Sequence, residues 1–286
     1  MTKKVPKKVN PPQSQRRPGK EMKMKPAPIS DAGLKFTDKL KDKIVLITGG
    51  DSGIGKAVSI LFARQGADIS IVYLNETADA NDTKQIVESY GRKCLLIKGD
   101  ISEERVCQSA VEKTVRYFGK MDILINNAAI HYETKQATDI DFQHMKKTFE
   151  VNVFSMFYLV KYSLPYLKKG AVIINTSSVT AYRGSPELLD YSATKGAIVS
   201  FTRSLASSLV KKGIRVNGVA PGPIWTPLIV SSFDRKKVSQ HGSKVPMGRA
   251  GQPAEVAPAY LFLATDDSSY ISGQFIHPNG GEIING

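Results

Sequence analysis

The stretch Thr48-Gly49-Gly50-Asp51-Ser52-Gly53-Ile54-Gly55 follows a short apolar run at 44–48 and leads straight into an amphipathic helical period. Glycines allow positive φ and close backbone approach, and the start of a helix offers unpaired N–H groups and a partial positive charge to a pyrophosphate. A glycine turn alone also serves loops that bind nothing, so its weight depends on its surroundings. Outward from it the alternation continues. Apolar runs at 69–74, 94–98, 123–126, 172–176, 215–219 and 274–277 are separated by helical periods at 54–65, 78–90, 103–118, 142–167, 191–210 and 253–263. This is the pattern of βαβ units and predicts a three-layer, doubly wound α/β domain with a seven-stranded parallel sheet. Right-handed crossovers place the helices on both faces, and ligands then bind beyond the carboxyl ends of the strands.

The 286 residues, 41% of them hydrophobic, suffice for one large domain, 41–286, preceded by an arm, 1–40. The arm carries Pro6, Pro11, Pro12, Pro18, Pro26 and Pro28 among basic residues and has too little apolar surface to fold alone. Much of the net charge of +14 sits there, since residues 1–43 hold 13 of the 40 Lys/Arg and 4 of the 26 Asp/Glu. Such an arm either floats or lies along a neighbouring subunit, with Val5, Val9, Met22, Met24 and Ile29 available for docking. A polyanion-binding tail is the competing reading, and nucleic acid is not the expected partner. Cys94 and Cys107 lack a Cys-x-x-Cys spacing, and His131, His144, His241 and His277 share no metal-ligand spacing, so no disulfide scaffold or metal is expected. No apolar run approaches the ~20 residues of a bilayer span, and the basic start is followed by prolines, which predicts a cytoplasmic protein without a membrane partner.

Tyr191-Ser192-Ala193-Thr194-Lys195 puts a phenol and an ammonium at i and i+4 on one helix face. A free tyrosine titrates near pH 10, so service as a base near pH 7 requires about 4 kcal/mol of phenolate stabilisation. A nearby lysine and an oxidised nicotinamide can supply it. By itself the spacing equally describes an exposed surface pair. Ser178 lies just past the run at 172–176, on the carboxyl edge, where its hydroxyl can hold the reacting oxygen; Ser177 is the adjacent alternative. Asn152 falls inside a helical period that disfavours it, where it either bridges two backbones or breaks the helix and holds a water for proton exchange.

Taken together, Thr48 to Gly55, Asn126-Asn127-Ala128-Ala129, Asn152, Ser178, Tyr191 with Lys195, and Pro221-Gly222 make the sequence resemble the short-chain dehydrogenase/reductase family from about residue 40 to 286. The resemblance implies a Rossmann-type sheet of order 3-2-1-4-5-6-7, a homotetramer, and NAD(P)-dependent hydride transfer to or from an aldehyde, ketone or alcohol. It implies that Tyr191 is the acid/base, that Lys195 binds the nicotinamide ribose and lowers the tyrosine pKa, that Ser178 orients the carbonyl, and that Asn152 extends a proton relay through water. For the cofactor it implies Gly49, Gly53 and Gly55 in the phosphate turn, Ile54 donating N–H near the pyrophosphate, Asp100 and Ile101 at adenine, Asn126 and Ala128 along the adenosine ribose, and Pro221, Gly222, Ile224 and Thr226 at the carboxamide. The N-terminal extension is similar to that of bacterial aldehyde reductases or general stress oxidoreductases. Glucose dehydrogenases and 3-oxoacyl-ACP reductases are similar as well, and a non-catalytic nucleotide-sensing module is the alternative of another class.

Two positions depart from the family pattern. Ala129 stands where a glycine is usual. At the end of the second strand, where NAD-specific relatives carry an aspartate, the sequence has Tyr73 followed by Leu74, and no arginine at Ser52 or Leu74 awaits a 2′-phosphate. Acidic Asp51 and Glu76 would repel that phosphate, which favours NAD(H), with NADP(H) as the alternative. Substrate contacts are expected from the loop after Ser178 (Tyr182, Pro186, Leu188) and from 224–249 (Trp225, Leu228, Phe233), largely apolar walls that suit a carbonyl compound of modest polarity. The stretch 231–244 reads as a mobile lid or as a rigid surface helix.

Overall fold

Every strand of a sheet covered on both faces needs apolar side chains on both, and the five residues of β1 (Ile44–Thr48) are all buried. Val45 and Ile47 join one core cluster while Leu46 joins the other. The computed structural model describes residues 10–31 and 38–284. With β1, strands β2 (Asp68–Tyr73), β3 (Cys94–Lys98), β4 (Ile123–Asn126), β5 (Val172–Thr176), β6 (Arg215–Val219) and β7 (Phe275–Ile276) form one parallel sheet, ordered β3-β2-β1-β4-β5-β6-β7. The predicted fold is therefore the observed one. β7 is shorter than expected because only Gly218 and Val219 pair with it.

Helices α1 (Gly53–Arg64) and α10 (Pro253–Ala264) cover one face of the sheet, and α2 (Thr77–Ser89) lies beside α1. On the other face lie α3 (Glu104–Phe118), α5 (Ser155–Ser163) and the long α7 (Leu189–Leu209). Cys94 and Cys107 are free and buried, and burial pushes both thiols up to about 12, which leaves them inert.

The single helical period expected at 142–167 is divided. After α4 (Phe142–Phe149) comes a π turn, Glu150–Phe154, before α5 begins. Asn152 sits in that turn, fully buried, and its side chain leaves the helix to bond the backbone of Ile130 on both sides: Oδ1 accepts from Ile130 N–H (2.9 Å) and Nδ2 donates to Ile130 O (2.9 Å). A π turn inserts one extra residue, and here it aims a side chain at a neighbouring loop.

The stretch 231–244 holds the end of α8 (Pro227–Ser232) and all of α9 (Arg235–Gln240), whose Val238 is fully buried.

The described part of the arm, 10–31, lies along its own chain, and Val5 and Val9 fall outside the described residues. Met24 packs into an apolar cluster with Trp225, Val230 and Val238. Asn10 N–H donates to Ser239 O (2.9 Å), Gln15 N–H to Val230 O (3.0 Å) and Ala254 N–H to Ile29 O (3.0 Å). Glu21 is buried: its carboxylate accepts from Gly53 N–H (2.7 Å) and pairs with Lys56 (2.8 Å), while its own N–H donates to Asp79 (2.8 Å). The arm thus spans from α9 across the front of α1 to α10.

Candidate active site

The strand order reverses between β1 and β4, where two crossovers leave in opposite directions, and a cavity of about 390 Å³ opens beyond their carboxyl ends. The glycine turn forms one wall. Gly49 and Gly53 have φ of +64° and +53°, a region open to glycine, and a Cβ on Gly55 would stand 1.9 Å from the Gly49 carbonyl oxygen. Gly49, Asp51, Ser52, Gly53 and Ile54 face the cavity. Gly55 does not: it lies behind the turn, where its missing side chain lets α1 close on β1.

Asn127 clamps this turn. Its N–H donates to the Thr48 hydroxyl (3.0 Å) and its side chain donates to the carbonyls of Thr48 (3.1 Å) and Gly49 (3.3 Å). Asn126, expected at the ribose, points into the sheet instead: Nδ2 donates to Asn175 Oδ1 (2.8 Å), and Asn175 donates on to Thr202 (2.9 Å). The strand alternation sends Asn126 inward and the next residue to the cavity. Ala128 and Ala129 line the cavity, and Ala129 keeps an ordinary negative φ, so the departure from glycine costs no strain there.

At the far end of the cavity lie Tyr73, Leu74, Glu76, Asp100 and Ile101, all of them expected on the adenosine side except Glu76, singled out for its charge. Asp100 is engaged by Lys147 (2.8 Å) and Ser102 N–H (2.9 Å), and against burial these hold its carboxyl below the usual range. Asp51 and Glu76 are buried, and Glu76 Oε1 has no hydrogen-bond partner among the described residues. Burial, with the charges of Glu76 and Asp79 nearby, pushes Asp51 up to about 7. Pro221, Gly222, Ile224 and Thr226, expected at the carboxamide, line the opposite side.

Tyr191 and Lys195 reach the cavity from the first turns of α7, joined by Ser178 just past β5. Lys195 Nζ lies 5.3 Å from the Tyr191 ring centre and donates to Thr176 O (2.8 Å). Asp190 fixes the start of the helix, accepting from Tyr191 N–H (2.8 Å) and from the Thr148 hydroxyl (2.7 Å). The two adjacent serines separate: Ser177 turns back to donate to Lys195 O (2.9 Å), whereas Ser178 lines the cavity with Tyr191, its Oγ accepting from Thr180 N–H (3.2 Å) and the Thr180 hydroxyl (3.1 Å). Burial raises the phenol to about 12, with Ser178 pulling the other way, and burial lowers Lys195 to about 7. The cavity thus holds a phenol and an amine whose burial has drawn the tyrosine up and the lysine down, so any charge placed between them acts on both.

Besides Gly55 and Asn126, other expected site residues lie elsewhere: Pro186, Leu188 and Phe233 are not part of the cavity lining, and neither are Trp225, Tyr182 and Asn152. Trp225 is buried away from the cavity, and its indole N–H donates to Pro26 O (2.9 Å), so the aromatic ring serves the arm. Tyr182 stacks edge-on to His277, 4.8 Å between ring centres, outside the cavity wall. The Asn152 side chain is spent on Ile130 and on Thr194 (3.2 Å) and acts at a distance, by fixing the loop that includes Ala128 to Ile130. Conversely Tyr132, Lys147, Ile229, Ser231 and the arm residues Arg17 and Gly19 line the cavity without having been expected there.

A doubly wound sheet whose switch-point cavity joins a dinucleotide turn to a Tyr, Lys and Ser cluster defines a nicotinamide-dependent oxidoreductase. The chain belongs to the short-chain dehydrogenase/reductase family. The sequence family described as enoyl-(acyl carrier protein) reductase matches residues 49–282. The chain is 58% identical over 281 residues to the uncharacterized oxidoreductase YhxC of Bacillus subtilis (strain 168), covering 98% of each chain. It is 49% identical to the NADPH-dependent aldehyde reductase 1, chloroplastic, of Arabidopsis thaliana, over 94% of this chain and 96% of that one. Among solved structures, a short-chain dehydrogenase from Burkholderia cenocepacia J2315 in complex with NADP superposes with a TM-score of 0.80 at 28% identity, covering 85% of this chain and 98% of that one. This chain is accordingly an NAD(P)-dependent oxidoreductase.

Proposed function

We propose that the protein interconverts an aldehyde or ketone with its alcohol, with Tyr191 as acid/base. The observation that carries this reading is the meeting of Tyr191, Ser178 and Lys195 in the cavity that the glycine turn opens. In this reading Ser178 Oγ donates to the carbonyl oxygen, and Tyr191 Oη gives that oxygen a proton in reduction and takes it back in oxidation. The Lys195 ammonium favours the phenolate and thereby eases the return of the proton. Asn152 is a positioning residue, holding Ile130 and the cavity wall beside it.

The cavity fits a dinucleotide: a Cβ at Gly49 or Gly53 would crowd Ala128 at 3.1 Å or Thr226 at 3.2 Å, and the start of α1 faces the cavity. Gly49, Ser52, Gly53 and Ile54 would hold the pyrophosphate, Ala128 the adenosine ribose, Asp100 and Ile101 adenine, Lys195 the nicotinamide ribose, and Pro221, Gly222, Ile224 and Thr226 the carboxamide. The bound nicotinamide supplies or accepts the hydride. NAD(H) is the preferred form in this reading, because the buried carboxyls of Asp51 and Glu76 at the cavity wall oppose a phosphate of nearly two charges. NADP(H) is the second reading, favoured by the NADP found in the Burkholderia structure.

The Arabidopsis relative, named an NADPH-dependent aldehyde reductase, and the apolar wall of Ile130, Leu228 and Ile229 support a carbonyl of modest size as substrate. Exposed Phe154 and Phe157 on the α5 side, with Phe157 4.2 Å from Phe201 of α7, support assembly as a homotetramer through these helices. The test is oxidation of NADH and NADPH across a panel of aldehydes, ketones and sugars. Consumption with an aldehyde or ketone, faster with NADH, is the expected result; binding of NADH without turnover of any carbonyl would instead indicate a nucleotide-sensing module.

A further inference from the structure

The arm enters the cavity from the side opposite the sheet. Arg17, Pro18 and Gly19 line it together with Tyr132, Leu228 and Tyr191. The backbone around Arg17 is fixed on both sides. Gln15 N–H is tied to Val230 O, Lys20 N–H donates to Gln15 Oε1 (2.6 Å), and Glu21 is anchored on α1. Gly19 lies so close to α8 that a Cβ there would stand 2.3 Å from the Pro227 carbonyl oxygen.

The side chain is held as well. The guanidinium carbon of Arg17 lies 4.2 Å from the centre of the Tyr132 ring. A guanidinium held over an aromatic ring retains N–H donors of the kind that recognise a carboxylate or phosphate. Among the described residues none forms a hydrogen bond or ion pair with them. The carboxylates whose charges act on Arg17 have direct partners elsewhere: Glu133 pairs with Lys237, and Asp190 accepts from Thr148 and the Tyr191 N–H. Tyr132 adjoins His131, whose ring lies 5.1 Å from that of Tyr191, so Arg17 belongs to the substrate end of the cavity and not to the pyrophosphate end at α1. The other walls there, Ile130, Leu228 and Ile229, are apolar.

We infer that Arg17, delivered by the N-terminal arm, is a specificity-determining residue that selects carbonyl substrates bearing an anionic group, such as a carboxylate, remote from the reacting carbon. The inference rests on reading Tyr191 and Ser178 as the carbonyl site. It gives the arm a place in the site of its own chain.

The experiment uses the full-length enzyme with ω-carboxy aldehydes of graded length, each paired with the alkanal of the same length, and reads the ratio of their kcat/KM values. The wild type is expected to prefer the carboxylate at the length that reaches Arg17. Arg17→Ala should lower that ratio roughly tenfold to hundredfold, the range of a hydrogen bond to a charged group. Arg17→Lys should keep part of the preference, and Arg17→Glu should reverse it. A wild-type ratio that never exceeds one, or a ratio that Arg17→Ala and Arg17→Glu leave unchanged, would overturn the inference while the carbonyl reading stands. Turnover of neither series would remove the carbonyl reading, and this inference with it.

Discussion

Asp51 stands in the glycine turn with its carboxyl buried, and burial holds it protonated up to about 7 where an exposed aspartate ionises near 3.8. The sign of its effect on stability follows. Above pH 3.8 the unfolded chain ionises this group while the fold resists, so the cost begins there, grows to about pH 7 and stays constant above, with a ceiling of roughly 4 kcal/mol. Asp51→Asn should therefore raise the Tm by a few degrees at pH 8, with a gain that shrinks toward pH 4; calorimetry at the two pH values checks it. At pH 8, where Asp51 is ionised, the same variant should raise kcat/KM for NADPH relative to NADH by at least about tenfold, because it removes a negative charge near the proposed site of a 2′-phosphate. An unchanged ratio would place cofactor choice elsewhere. The importance of Asp51 was legible in the sequence as an acidic side chain next to the glycines; its protonation was not, because that depends on Glu76 and Asp79, brought beside it by the fold.

The division of the helical period at 142–167 shows what an element's own pattern encodes. Its apolar spacing continues through Asn152, and a lone asparagine announces a disturbance without saying of what kind. The π turn follows from a contact with Ile130, which no local spacing contains. Asn152→Ala leaves both backbone groups of Ile130 without these partners and should destabilise the protein by about 2–3 kcal/mol. Thermal denaturation reads that loss, and KM for the carbonyl should rise with it as Ile130 and the wall beside it loosen. The strands were legible almost residue by residue, since a parallel sheet demands continuous apolar runs bounded by turns. Gly55 and Asn126 were assigned to the cofactor from their motifs, yet one serves packing behind the turn and the other a buried asparagine ladder. Trp225 and Tyr182 fall beside the cavity in sequence but turn from it in space, Trp225 because its N–H is claimed by Pro26, 199 positions away.

At the scale of the molecule, the arm was the least legible part. Its prolines and charges say that it cannot fold alone, and they do not say where it lies, because its docking depends on surfaces supplied by α1, α8, α9 and α10. Its described residues lie on the same chain that carries the cavity. The apolar surface around Phe157 points outward instead. Phe157→Glu should shift the proposed tetramer to smaller species in size-exclusion chromatography with light scattering, and an unchanged mass would exclude this face as the interface. The proposed activity rests on one phenol, Tyr191, in the cavity where the dinucleotide turn, Ser178 and Lys195 meet. The most direct measurement compares the Tyr191→Phe variant with the wild type in NADH binding, by fluorescence titration, and in carbonyl reduction at saturating NADH. The expected result is a dissociation constant within about threefold of the wild type and a kcat reduced by roughly 10²–10⁴-fold, the share that a positioned acid/base supplies. A variant that binds NADH and retains more than about a tenth of the wild-type kcat would contradict the assignment.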